Sequence, residues 1–88
     1  MEIKSVRKEI DSIDDEIISL LSKRKGMSQK IAEIKKQSDK PILDQSREQQ
    51  VMKRLKKLSK EKGLDENFII SLYNIILKNS RDEQKNQD

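Results

Sequence analysis

The chain has 88 residues, of which 41% are charged and 32% hydrophobic, and its 20 Lys and Arg against 16 Asp and Glu give a net charge of +4. It contains no Cys and no His, which excludes disulfides, thiolate chemistry and the commonest general base and metal ligand. No apolar run is long enough to span a bilayer and residues 1–10 carry no secretion signal, so we expect a cytoplasmic protein.

The first third of the chain has apolar residues alternately three and four positions apart, from Ile3 to Ile34. This spacing predicts a long amphipathic helix over residues 2–37 with a coiled-coil-like seam, and argues against a disordered chain. At about 1.5 Å per residue the helix would be roughly 54 Å long. Two shorter helices of the same chain cannot cover that length, so we expect a partner chain to complete the core. Gly26 lies inside the helix and should cost about 1 kcal/mol relative to alanine.

The remainder of the chain predicts two shorter helices. Pro41 ends the first pattern, and Asp44 is a good N-cap for a helix over residues 44–62 that Gly63 ends in a left-handed conformation. Asp65 caps a third helix over residues 65–85, followed by a polar end, residues 85–88, that we expect to fray. The predicted apolar faces are Val51, Met52, Leu55 and Leu58, and then Ile69, Leu72, Tyr73, Ile76 and Leu77. The predicted fold is all-α, with three helices in a single domain, residues 1–88.

Each helix carries polar residues on its apolar stripe. Arg24 occupies a seam position of the first helix, and Lys35, eleven residues later, lies within about 20° of the same face. Glu48 continues the buried face of the second helix. In the third helix the stripe passes from Ile76 to Ser80 and Gln84 in steps of four. Each position also has an ordinary interpretation: a snorkelling Arg, a flanking Lys, a first-turn Glu, and a helix end approaching water.

Taken together, these positions predict a polar pocket inside a helical bundle. Arg47 flanks Glu48, and the ordinary interpretation is that its side chain is solvated. Because unpaired buried cations are unfavourable, the pocket should take an anionic ligand, and Arg suits a carboxylate. The basic run on the second helix favours a solvated outer face, with nucleic-acid binding as the alternative; it comprises Lys53, Arg54, Lys56, Lys57, Lys60 and Lys62.

Three stretches carry a family resemblance: VRKEIDSIDDEIISLLSKR in the first helix, KPILDQSRE across the break, and the third-helix end with Ser80 and Gln84. In this order and spacing, the sequence resembles the all-α class of chorismate mutases over nearly its whole length. The resemblance implies an intertwined homodimer of three-helix chains with two active sites. It also implies rearrangement of chorismate to prephenate, on the route to phenylalanine and tyrosine, without metal or cofactor.

The resemblance also implies roles for the polar residues. Arg24 would bind a substrate carboxylate, and Arg7 would reach the site from the other chain. Lys35 and Gln84 would hydrogen-bond the ether oxygen of the breaking C–O bond, and Lys35 would also meet a carboxylate. A unimolecular rearrangement needs no nucleophile and no proton transfer, which suits a chain without His or Cys.

The remaining implied contacts come from the second and third helices. Glu48 and the backbone at Asp44 would hold the ring hydroxyl, Ser80 would meet a carboxylate, and Arg47 would support the site. Two alternatives stay open: an isochorismate pyruvate lyase on the same fold, and a basic helical dimerisation or nucleic-acid-binding module without catalysis. The sequence fits either a free-standing enzyme or one domain of a bifunctional enzyme.

Overall fold

Three helices account for most of the chain. The computed structural model describes residues 2–85; within them α1 spans Ile3–Gln37, α2 spans Gln45–Glu61 and α3 spans Glu66–Lys85. Residues 2–85 contain no strand, so the predicted all-α, three-helix architecture is confirmed, with every boundary within one residue. Lys85, expected to fray, is the last residue of α3, while residues 86–88 lie outside the described part. None of the described helices is both long and apolar enough to cross a membrane.

The helix starts follow from local hydrogen bonding. The carboxylate of Asp44 accepts a hydrogen bond of 3.0 Å from the Arg47 backbone N–H, as an N-cap does. Asp65 accepts one of 2.9 Å from the backbone N–H of Asn67. These two caps explain why α2 and α3 each begin one residue after an aspartate.

A residue in the left-handed conformation follows the end of α1 and the end of α2. Gly63 has φ 68°, and the next N–H, of Leu64, donates to the Ser59 carbonyl at 2.9 Å, which closes α2 as predicted. After α1 the corresponding residue is Asp39, with φ 56°, while the backbone N–H of Lys40 donates to the Lys35 carbonyl at 2.9 Å. An aspartate tolerates this conformation better than most side chains, so α1 ends before Pro41 is reached.

The core lies between α2 and α3, and α3 also packs on α1, whereas α1 and α2 do not pack on each other within the described residues. The buried residues of this core are Val51, Leu55 and Leu77, joined by Met52, Ile69 and Tyr73. The predicted apolar faces need two corrections, at Leu58 of α2 and at Leu72 of α3, which are each 38% exposed. Ser59 is buried while Leu58 is 38% exposed, because the buried face continues in steps of four from Leu55. Burial of Ser59 is tolerated since its Oγ donates to the Leu55 carbonyl at 2.6 Å.

The apolar seam of α1 is left uncovered by the other residues that the structure describes. Its apolar residues, Ile3 to Ile34, are 37% to 69% exposed, whereas Ser28 and Ala32 on the neighbouring face are buried. The chain exposes 7559 Å², against about 5,400 Å² for a compact monomer of its mass. Its radius of gyration is 16.2 Å, against about 12 Å for a compact domain of this length. Of the 17 large hydrophobic residues that are exposed among those described, 11 lie on α1.

Replacing Gly26 with alanine should raise the free energy of unfolding by about 0.5–1 kcal/mol, because a helix-interior glycine loses more backbone entropy than alanine. A Cβ placed at Gly26 meets no atom within 4 Å, so no clash opposes the gain. Gly63→Ala is the matched control. Gly63→Ala should lower the free energy of unfolding by about 1 kcal/mol, because the φ of 68° at this position strains any residue that has a Cβ. Urea unfolding measures both, and equal shifts would contradict this account.

Candidate active site

The three helices and the α1–α2 connection surround a cavity of about 330 Å³. Seven of the eight sequence-predicted site residues line it: Arg24, Lys35, Asp44, Arg47, Glu48, Ser80 and Gln84. The eighth, Arg7, is exposed on α1 and is not part of this wall. Seventeen residues separate Arg7 from Arg24, or roughly 25 Å along the helix. Within one chain the structure therefore brings together every predicted position except Arg7.

Arg24 is held against α3. Its Nη1 donates to the Oγ of Ser80, and the same hydroxyl donates to the Ile76 carbonyl at 3.1 Å. Because its proton is engaged with the backbone, the Ser80 oxygen is free to accept from the guanidinium. The remaining Arg24 donors stay available to a ligand. A half-buried guanidinium positioned in this way suits a carboxylate.

Lys35 ties α1 to the connection that follows it. Its Nζ donates to the backbone carbonyl of Ile42 at 2.7 Å. An ammonium has three donors, so two remain for a ligand in the cavity. The bond also orders the segment before Asp44, whose side chain is occupied in capping α2. Asp44 can therefore offer a ligand its backbone more readily than its carboxylate.

Glu48 has a partner that the sequence interpretation missed. Nη1 of Arg81 lies 2.6 Å from both carboxylate oxygens of Glu48, and the two side chains are 28% and 27% exposed. The sequence does place Arg81 on the inward face of α3, because Arg81 follows the buried Leu77 by four residues. Ser28, also buried at the cavity, was missed because a serine on a helix carries no pattern of its own.

Gln84 contributes an unpartnered polar atom. Its Oε1 is buried and accepts no hydrogen bond from any described residue. Buried polar atoms are nearly always paired, so this one indicates a missing ligand or partner. Rotating the Gln84 side-chain amide by 180° would place its NH₂ group where Oε1 lies. Gln84 is therefore equipped to donate to, or accept from, a molecule in the cavity.

The cavity is electropositive. Four cations line it, Arg24, Lys35, Arg47 and Arg81, against two carboxylates, Asp44 and Glu48, which leaves a net charge of +2. A small dianion would match this charge. The neighbouring Lys78–Asp82 pair on α3 is not part of the wall, and its 3.0 Å hydrogen bond lowers the pKa of Asp82 below the ordinary 3.8.

Comparison with known proteins gives a consistent picture. The family model "Chorismate mutase type II" matches residues 6–85. A chorismate mutase of Methanocaldococcus jannaschii is 37% identical over 83 residues, which cover 94% of this chain and 84% of the relative. A bifunctional chorismate mutase/prephenate dehydratase of Buchnera aphidicola is 38% identical over 84 residues, covering 96% of this chain but 22% of the relative. The solved structure of a conserved hypothetical protein from Pyrococcus furiosus superposes with a TM-score of 0.74 at 40% identity, over 93% of each chain.

Proposed function

Because the chain belongs to the chorismate mutase type II family, we propose that it rearranges chorismate to prephenate in the cavity between its three helices. The observation that carries the proposal is the convergence of seven of the eight predicted site residues on one cavity of net charge +2. Chorismate is a dicarboxylate, so its charge complements the cavity. The proposed unit is one domain, residues 1–88.

The proposed chemistry is a unimolecular Claisen rearrangement, in which the C–O ether bond breaks as a C–C bond forms. Arg24 binds a substrate carboxylate and so selects the folded conformer in which the reacting carbons approach. Lys35 and the Gln84 amide donate to the ether oxygen, where negative charge develops in the transition state. The Lys35 ammonium is held in place before the reaction by the Ile42 carbonyl, so its share of stabilising that charge needs little reorganisation.

The remaining residues orient the ring. Glu48 accepts from the ring hydroxyl, and the backbone at Asp44 holds the same group. Ser80 lies against Arg24, and on substrate binding its hydroxyl proton turns from the Ile76 carbonyl to the carboxylate that Arg24 binds. Arg47, next to Glu48 on the cavity wall, supports the site by its charge.

We further propose that two chains form an intertwined homodimer in which Arg7 completes the partner's site. Three observations support the dimer: the exposed seam of α1, the surplus exposed surface, and a second, mainly apolar cavity of about 580 Å³ beside Arg24. A second α1 laid along the seam would cover these surfaces. It would also bring Arg7, which lies far from the cavity of its own chain, close to the cavity of the other chain.

The decisive experiment is incubation of the purified protein with chorismate, following the loss of substrate and identifying the product. Prephenate is the expected product. Isochorismate is offered in parallel, because release of pyruvate from it would identify a lyase on the same fold. Failure to consume either compound would leave the dimerisation or nucleic-acid-binding module as the better account.

Changing Gln84 to glutamate should make the activity strongly pH-dependent. An amide donates to the ether oxygen at any pH, whereas a carboxyl donates only when protonated. Above the pKa of the new carboxyl its protonated fraction falls about tenfold per pH unit, so the variant should work better in mild acid than at neutral pH. The measurement is kcat/KM against pH for wild type and variant.

Gln50→Glu provides the control, because Gln50 is exposed on α2 and does not line the cavity. It adds the same charge and should leave the pH profile unchanged. A Gln84→Glu profile that follows the wild type would show that Gln84 does not touch the reacting oxygen.

A further inference from the structure

We propose that Arg81 is a positioning residue that keeps the Glu48 carboxylate away from the cations that must hold the substrate. The inference rests on the proposed function and deepens it, since it assigns a role to a cation outside the family-like set of residues. Arg81 acts through Glu48 and does not touch the reacting atoms.

The geometry is that of a dedicated pair. One nitrogen of Arg81, Nη1, is 2.6 Å from both oxygens of Glu48, and the two side chains are each less than one third exposed. The pair joins α3 to α2, so each side chain is anchored on a different wall of the cavity.

The electrostatics give the reason for the pair. Glu48 shares its cavity with Arg24, Lys35 and Arg47. Without a partner of its own, an anionic side chain there would pair with one of these cations in the empty site. A dianionic substrate would then have to displace it. Arg81 satisfies Glu48 in advance, and it also keeps the net charge of the wall at +2 instead of +1.

This role predicts which kinetic parameter changes. Without Arg81, Glu48 would pair with one of the substrate-binding cations, and only in the empty site. That pair would stabilise the free enzyme but neither the substrate complex nor the transition state. Loss of Arg81 should therefore raise KM by about tenfold and change kcat by less than about threefold. A group that stabilised the transition state directly would instead lower kcat.

The test is a double-mutant cycle of Arg81→Met and Glu48→Gln, with circular dichroism to confirm folding. In the wild-type background Arg81→Met should raise KM about tenfold. In the Glu48→Gln background no carboxylate needs a partner, so adding Arg81→Met should raise KM by less than about threefold. Isothermal calorimetry with prephenate makes the same comparison without turnover. Arg81→Lys, which restores the charge, should recover part of the lost affinity.

The matched control is Lys78→Met, which removes a cation from the same helix three residues earlier, where Lys78 is exposed and paired with Asp82. Its KM should equal that of the wild type. Equal rises for Arg81→Met in both backgrounds, or a fall confined to kcat, would overturn the role of Arg81 while leaving the mutase activity intact. A wild-type protein that neither consumes chorismate nor binds prephenate would instead overturn the proposed function itself.

Discussion

Arg24→Ala is expected to lower kcat/KM for chorismate by about 2–4 kcal/mol, or roughly 30- to 1000-fold. The change removes the proposed charge-assisted contact to a substrate carboxylate and reduces the positive charge of the cavity wall. The fold should persist, because the Arg24 guanidinium hydrogen-bonds only Ser80 among the described residues, and Ser80 keeps its bond to the Ile76 carbonyl. Steady-state kinetics and circular dichroism measure the two effects.

Lys23→Ala is the control for Arg24. Lys23 is the preceding residue, exposed, and absent from the cavity wall, yet its loss removes the same unit of charge. It should retain nearly full activity. Near-normal turnover in Arg24→Ala would contradict the assignment of this cavity as the active site.

Mixing two inactive variants should restore activity if the sites are shared between chains. Arg7→Ala and Arg24→Ala homodimers each lack one arginine in every site and should be nearly inactive. Unfolded and refolded together, they form mixed dimers in which one site has Arg24 from one chain and Arg7 from the other. With random pairing about half the dimers are mixed, so about a quarter of all sites should be restored.

The physical basis is distance. On one straight helix, Arg7 and Arg24 lie roughly 25 Å apart and about 100° around the axis, too far for one small molecule to contact both. Each variant refolded alone supplies the baseline, and size-exclusion chromatography verifies that the dimer population survives mixing. Activity that stays at the baseline would refute the shared-site proposal.

Most of the fold could be predicted because its signals are local. Apolar spacing defines α1, Asp44 and Asp65 specify where α2 and α3 begin, and Gly63 specifies where α2 ends, each to within one residue. The error at Leu58 and Ser59 has a physical cause. The hydrophobicity of Leu58 suggested that it is buried, but helix packing decides which position is covered. That position holds Ser59, which is buried and donates its hydroxyl proton to the Leu55 carbonyl of its own helix.

The site was only partly predictable. Arg24, Glu48 and Ser80 could be found because each interrupts an apolar stripe. The sequence places Arg81 on the face of Leu77, but it does not show that Arg81 pairs with Glu48, which lies 33 residues earlier and comes within hydrogen-bond distance only after α2 and α3 pack. Pairing between helices distant in sequence is a tertiary property, and no local spacing encodes it.

Within residues 2–85, α1 and α2 do not pack on each other, and this has a thermodynamic consequence. Opposite walls of the cavity are attached to α3 separately, so in the free chain their separation is restrained mainly by the connection that Lys35 holds. A ligand that contacts both walls must use part of its binding free energy to fix that separation. A second chain packed along α1 would fix it beforehand, so association of the chains and affinity for substrate become linked equilibria, each strengthening the other by the same factor.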